Sequence, residues 1–159
     1  NVLGMAQRGG VVSVQLRLDR TRVSSPMIMT GKAMLGGFTE PLEALRWQHM
    51  LAVGASVVIQ DKRVVPPSAG QAYPQDPIAD LRNLRPDLHI QVSPVAVSPA
   101  PLESAYLLGM LSNHLPLNET QWHGGLQRTV AEKYWLNTWH AFQKGRDFLH
   151  EGCRITQRA

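Results

Sequence analysis

Thiols are almost absent from this sequence: Cys153 is the one cysteine in 159 residues. A lone thiol excludes an internal disulfide framework and fits a reducing, cytoplasmic compartment. It also excludes an iron–sulfur cluster held within this chain, because such clusters draw on about four thiolates. Long apolar runs are missing too. No stretch approaches the roughly 18 uninterrupted apolar residues of a membrane span. No basic leader, apolar segment and small-residue cleavage site opens the chain, which begins at Asn1 and not at a start methionine. Charge is sparse, at 18% of residues, and the cations (Arg17, Arg20, Arg22; Arg82, Arg85; Arg154, Arg158) form no block and no aromatic-interleaved platform. A nucleic-acid-binding reading therefore rests on the formal +4 alone. A mildly basic surface suits an acidic partner or an anionic ligand equally well.

Catalytic signatures are lacking as well. The six histidines (His49, His89, His114, His123, His140, His150) show no metal spacing, and a second cysteine is not available. There is no G-x-S-x-G elbow, no phosphate-binding G-x-x-x-x-G-K-[ST] loop and no G-x-G-x-x-G. Met27, Met29, Met34 and Met110 lie in apolar stretches, where core filling is the ordinary role. Trp135 and Trp139, at helical spacing, read as core or subunit interface. Glu40 and Glu43 read as acids favoured by a helix start; a general-base role would require burial.

What remains is globular composition, 43% apolar, in a chain the size of one domain. Val11 to Leu18 reads as a strand whose second half alternates apolar and polar residues. Asp19 to Pro26 reads as a turn, and Ala33 to Phe38 as a short glycine-rich strand that approaches something closely. Thr39-Glu40-Pro41 starts a helix that runs to Val53 and stops at Gly54. Ser56 to Gln60 is a further strand, completing a βαβ crossover pattern. Pro66 to Pro77 is a proline-rich loop. Ile78–Leu84 is a short helix, and His89 to Val97 a strand interrupted by Pro94. Three helices follow, over Pro99–Asn113, Glu119–Val130 and Lys133–Leu149. The expected fold is α/β: a three-layer, Rossmann-like sandwich on a mostly parallel, mixed sheet, finished by a helical C-terminal segment. Residues 1–159 read as a single domain.

The most specific stretch is Gly4-Met5-Ala6-Gln7-Arg8-Gly9-Gly10-Val11. Glycines around a Gln-Arg pair let the backbone turn and expose amides, and Arg8 offers a planar donor fork for phosphate or carboxylate. A plain glycine-lined turn with Arg8 on the surface reads the same residues equally well. This stretch resembles the signature of the gamma-type domain of 2-oxoacid:acceptor (ferredoxin) oxidoreductases. The resemblance continues through Glu40-Pro41-Leu42-Glu43-Ala44-Leu45-Arg46, Val65-Pro66-Pro67, Tyr73-Pro74, Leu108-Gly109-Met110-Leu111-Ser112 and Leu115-Pro116-Leu117. It closes with Asn137, Ala141-Phe142 and Gly145. The Glu40–Arg46 and Leu115–Leu117 blocks look most like the beta subunit of indolepyruvate ferredoxin oxidoreductases.

That resemblance implies a subunit of a complex that oxidatively decarboxylates a 2-oxoacid with coenzyme A and reduces ferredoxin. It implies that thiamine diphosphate, magnesium and iron–sulfur clusters sit on a large companion subunit, in a homo- or hetero-oligomer without membrane or nucleic acid. The lone thiol agrees, as does the absence of the G-D-G…N segment that grips thiamine diphosphate in such enzymes. By the same resemblance Gln7, Arg8, Gly9 and Gly10 would face coenzyme A or the subunit junction, and no residue is assigned to catalysis. The family opens with a strand and a glycine-rich loop that would lie upstream of Asn1. Family members often carry Asp where Met34 stands and Asn where Ser104 stands. The other reading is a non-catalytic assembly or ligand-binding module of the same fold.

Overall fold

The computed structural model describes residues 2–3, 12–65, 73–94 and 100–156. The main sheet has three parallel strands in the order β3 (Ala33–Phe38), β4 (Leu51–Gln60) and β5 (His89–Ser93). Two crossover helices link them, α1 (Pro41–Trp47) and α2 (Pro77–Leu84). Both helices begin with a side-chain cap followed by proline. Glu40 accepts from the backbone N–H of Glu43 and Asp76 from that of Ala79, each at 3.0 Å, and Pro41 and Pro77 supply a preset φ where no N–H is needed. Opposite lie α3 (Ala100–Ser112) and α5 (Glu132–Thr156), with α4 (Glu119–Thr129) leaning on α5. A short antiparallel ribbon of β1 (Val2–Leu3) and β2 (Ser13–Val14) stands apart from the sheet.

Layering follows from β4, which is apolar on both faces as a central parallel strand must be. Leu51, Ala55, Val57 and Ile59 join Ala44 of α1 and Leu81 of α2 in one core. Val58 points the other way, onto Tyr106, Leu107 and Met110 of α3. The sandwich thus has three layers, with the mostly parallel sheet and the helical C-terminal part that the sequence leads one to expect.

Contact on the second face is close enough to need glycine. A Cβ at Gly109 would run into the carbonyl oxygen of Phe142, and one at Gly145 into that of Tyr106, so α3 and α5 cross backbone against backbone. Gly37 of β3 is the expected close approach: a Cβ there would lie 2.6 Å from Leu111 Cδ1.

Several sequence expectations are corrected in detail. The helix from Glu40 does not reach Val53: α1 ends at Trp47, a 3₁₀ turn covers Gln48–Met50, and β4 starts at Leu51. Gly54 stops no helix. It sits inside β4 at φ 72°, where the register jumps from Ala33↔Leu51 to Leu35↔Ser56. Three extra residues of β4 are therefore looped out as a bulge, and the positive φ is what glycine supplies. Arg85 and Asp87 brace it. The guanidinium donates to the carbonyls of Gln48 (2.9 Å) and Ala52 (3.1 Å), while Asp87 pairs with Arg85 at 2.8 Å and accepts from the N–H of Gly54 at 3.1 Å. Of the strand expected over Val11–Leu18, only Ser13–Val14 is paired in the structure. β5 covers His89–Ser93, and residues 95–97 of the strand expected to Val97 lie outside the described residues. Met110 is fully buried, whereas Met27, Met29 and Met34 are exposed, not core.

Candidate functional site

In open α/β sheets, ligands are taken beyond the carboxyl ends of the strands. Here those ends are Phe38, Gln60 and Ser93, and polar side chains gather around them. After β3 comes Glu40, 8% exposed. One carboxylate oxygen caps α1, and the other accepts a short hydrogen bond from the hydroxyl of Tyr73. Burial, reinforced by this neighbouring carboxylate, pushes the Tyr73 phenol up to about 12, so the phenol stays protonated and donating.

Beyond β4, Lys62 Nζ donates to both carboxylate oxygens of Glu103 on α3, at 2.8 and 2.6 Å. Gln60 is 2% exposed; its amide nitrogen donates to the backbone carbonyl of Glu103 at 3.0 Å. Its Oε1 is buried and has no partner among the described residues. Beyond β5, the fully buried Ser93 places its hydroxyl 3.0 Å from the carbonyl of Pro94 and 3.1 Å from the hydroxyl of Tyr106. Arg63 Nη1 donates to the carbonyl of Gln75 at 2.7 Å, holding the far end of the β4–α2 connection.

This rim holds a buried and a half-buried carboxylate, Glu40 and Glu103, two phenols, an amide with a spare acceptor and two cations. Its chemistry is hydrogen bonding and charge, suited to orienting a polar ligand, and its hydroxyl–carboxylate pair, Tyr73 with Glu40, keeps the phenol protonated. The described residues do not fit the metal-borne groups of the expected reaction. No grouping of His, Cys, Asp and Glu among the described residues could hold a metal ion, and one thiol cannot ligate an iron–sulfur cluster.

Elsewhere, two adjoining hollows of about 230 and 350 Å³ lie between α4 and α5, sharing Glu119 and Trp139. They are open clefts beside a helix that buries no residue. Trp135, Trp139 and Phe142 stack successively along α5, and His123 of α4 meets both tryptophans edge-on. The tryptophan pair is therefore a clasp for α4, and we place the candidate site at the sheet edge.

Gln7, Arg8, Gly9 and Gly10 lie outside the described residues. Glu40, read from sequence as a helix-start acid, does cap α1 but is buried as well. Gln60, Lys62, Ser93, Glu103, Tyr73 and Tyr106 were not marked by sequence reasoning as site residues. A usable signal was present for part of it: Gln60-Asp61-Lys62 is the polar run that follows the apolar Val57-Val58-Ile59 of β4.

Fold and rim together define an α/β domain with a polar carboxyl edge and a helical cover. The chain belongs to the pyruvate ferredoxin/flavodoxin oxidoreductase family, whose model matches residues 1–148. It is 40% identical over 88 residues to the indolepyruvate oxidoreductase subunit IorB of Archaeoglobus fulgidus (strain ATCC 49558 / DSM 4304 / JCM 9628 / NBRC 100126 / VC-16). That match covers 52% of this chain and 43% of the relative. No helix among the described residues is long and apolar enough to cross a membrane.

Proposed function

We propose that this chain is the smaller subunit of a 2-oxoacid:ferredoxin oxidoreductase that decarboxylates an aryl 2-oxoacid such as indolepyruvate, forms an acyl-CoA and passes electrons to ferredoxin. The observation that carries this reading is the combination of the family match with a single thiol. A member of a redox family that cannot ligate the clusters takes part only by docking onto a chain that holds them. Thiamine diphosphate, magnesium and the iron–sulfur clusters would reside on that larger companion, since cofactors carry the carbanion and electron chemistry. This chain's contribution is to bind and to orient. The rim of Glu40, Gln60, Lys62 and Tyr73 offers donors and acceptors to a polar ligand. Gln7, Arg8, Gly9 and Gly10, shortly before β2, would meet the anionic groups of coenzyme A or the subunit junction.

Reconstitution tests this. The chain alone should reduce no viologen dye, and the chain with its companion should do so in the presence of indolepyruvate and coenzyme A. Failure of the reconstituted pair on every aryl and branched 2-oxoacid overturns the enzyme reading. It would leave the ligand-binding or assembly module of the same fold.

A further inference from the structure

The stretch 12–18 alternates as a strand does, but the alternation is turned inside out. Polar Ser13 and Gln15 are half-buried, while Val12, Val14, Leu16 and Leu18 are 46%, 68%, 63% and 52% exposed. Two sets of bonds fix that orientation. The ribbon pairs Val2 with Val14 and Leu3 with Ser13, and Gln15 Oε1 accepts from the N–H of Ile28 at 2.7 Å. Arg17 Nη1 adds bonds to the carbonyls of Ser25 (2.9 Å) and Met27 (3.3 Å). Residues 25–28 are thereby held alongside, and Met27 and Met29, 44% and 72% exposed, extend the apolar face. A slip of one residue would turn the apolar set inward. The hydrogen bonds hold it outward. Contiguous apolar faces beyond a few hundred Å² are uncommon on isolated domains and mark contact with another surface.

We propose that this face docks onto a second, different polypeptide, the companion subunit, through an apolar surface edged with carboxylates; the identity of that partner rests on the functional reading above. Charge argues against a second copy of this chain. Between residues 12 and 34, Arg17, Arg20, Arg22 and Lys32 stand against Asp19 alone, a net +3 that accounts for most of the chain's formal +4. Asp19 is itself turned onto the backbone and hydroxyl of Thr21. Two copies apposed here would face arginine with arginine, which interfaces strongly disfavour. A partner with an acidic rim would gain from the same cations, and arginine around an apolar centre is the composition of heterologous contacts. The relative from Archaeoglobus fulgidus is named as a subunit, so an assembly is at hand in which such a partner exists.

The test measures affinity of the full chain for the purified companion, with native far-UV spectra required of every variant. Leu16→Glu combined with Met29→Glu should weaken binding at least 100-fold. Arg20→Glu with Arg22→Glu should weaken it about 10-fold and flatten its salt dependence. Leu136→Glu, an equally exposed site on α5, should leave affinity unchanged. If wild type and the Leu16→Glu/Met29→Glu variant bind the companion equally, the subunit reading survives and this docking face is refuted. If wild type forms no complex, both fall. A self-associating chain dispersed by Leu16→Glu would assign the face to a second copy and overturn the proposal. So would a form extended beyond Asn1 that shields Leu16→Cys from thiol labelling without any companion.

Discussion

The α3–α5 crossing and the 12–30 stretch are opposites. At the crossing, two helices touch through backbone at Gly109 and Gly145, with Tyr106, Met110 and Phe142 buried around them. In the 12–30 stretch, Ser13, Gln15 and Ser25 are half-buried, while Val12, Val14, Leu16, Leu18, Met27 and Met29 are exposed. Apolar residues are abundant in both, so hydrophobicity does not separate them. What separates them is whether the partner surface belongs to the same described body. The difference teaches that stability should be concentrated in the crossing and association in the stretch.

The largest effect should come from Gly145→Ala or Gly109→Ala. A methyl at either position meets a carbonyl oxygen that no side-chain rotation can move, so the helices must separate. We expect a loss of about 3 kcal/mol or more in urea unfolding. Next comes Arg85→Ala, which releases the brace on the β4 bulge and should lower the melting midpoint by roughly 5 °C. Arg85→Lys should recover little of it, because an ammonium cannot span two carbonyls and a carboxylate in one plane.

The brace also predicts a pH dependence. The Arg85 guanidinium holds the Asp87 carboxyl below the ordinary carboxylate range. A folded value below the unfolded one contributes stability above the unfolded value, near 3.9, and loses it as pH falls through the folded value. Acid titration of wild type and Asp87→Asn should therefore diverge above pH 4 and converge in stronger acid.

At the sheet edge, Tyr73→Phe should cost about 1 kcal/mol by leaving a buried Glu40 oxygen unpaired. The phenol, raised to about 12 in the fold, contributes stability below the ordinary tyrosine value near 10 and loses it as pH climbs from there through 12. An ultraviolet titration of wild type should show an ionisation near 12 that Tyr73→Phe removes. Smallest of all should be Leu16→Ser, within about 0.5 kcal/mol of wild type, since the side chain is already in water. A large loss there would erase the contrast between the two regions.

Much of the architecture was legible in the sequence because local chemistry agreed with the fold. Thr39-Glu40-Pro41 carries helix-start signals, and α1 starts there; Asp76-Pro77, read as the end of a loop, caps α2 one residue before the helix expected from Ile78. Asn118 and Gln121 form a reciprocal capping box at the start of α4. The start of β4 was not legible. Leu51-Ala52-Val53 continues a helical apolar face and begins a strand equally well, and only pairing with Ala33 decides it. Gly54 looked like a helix stop because a bulge and a helix end ask for the same positive φ. The exposed methionines were misread because apolarity alone does not say which way a residue points. At the site, Glu40 could be seen as a helix-start acid but not as the buried cap. The Lys62–Glu103 pair joins residues 41 apart, a separation no local pattern encodes.

The bulge in β4 also bears on how this strand can change length. Leu51 pairs with Ala33, and Ser56 with Leu35, so Ala52, Val53 and Gly54 are supernumerary to the ladder. Excising those three would bring Ala55 opposite Met34 and leave every pairing above it untouched. The strand thus carries a natural splice point, where residues can be gained or lost without disturbing Gln60 and Lys62 at the far end.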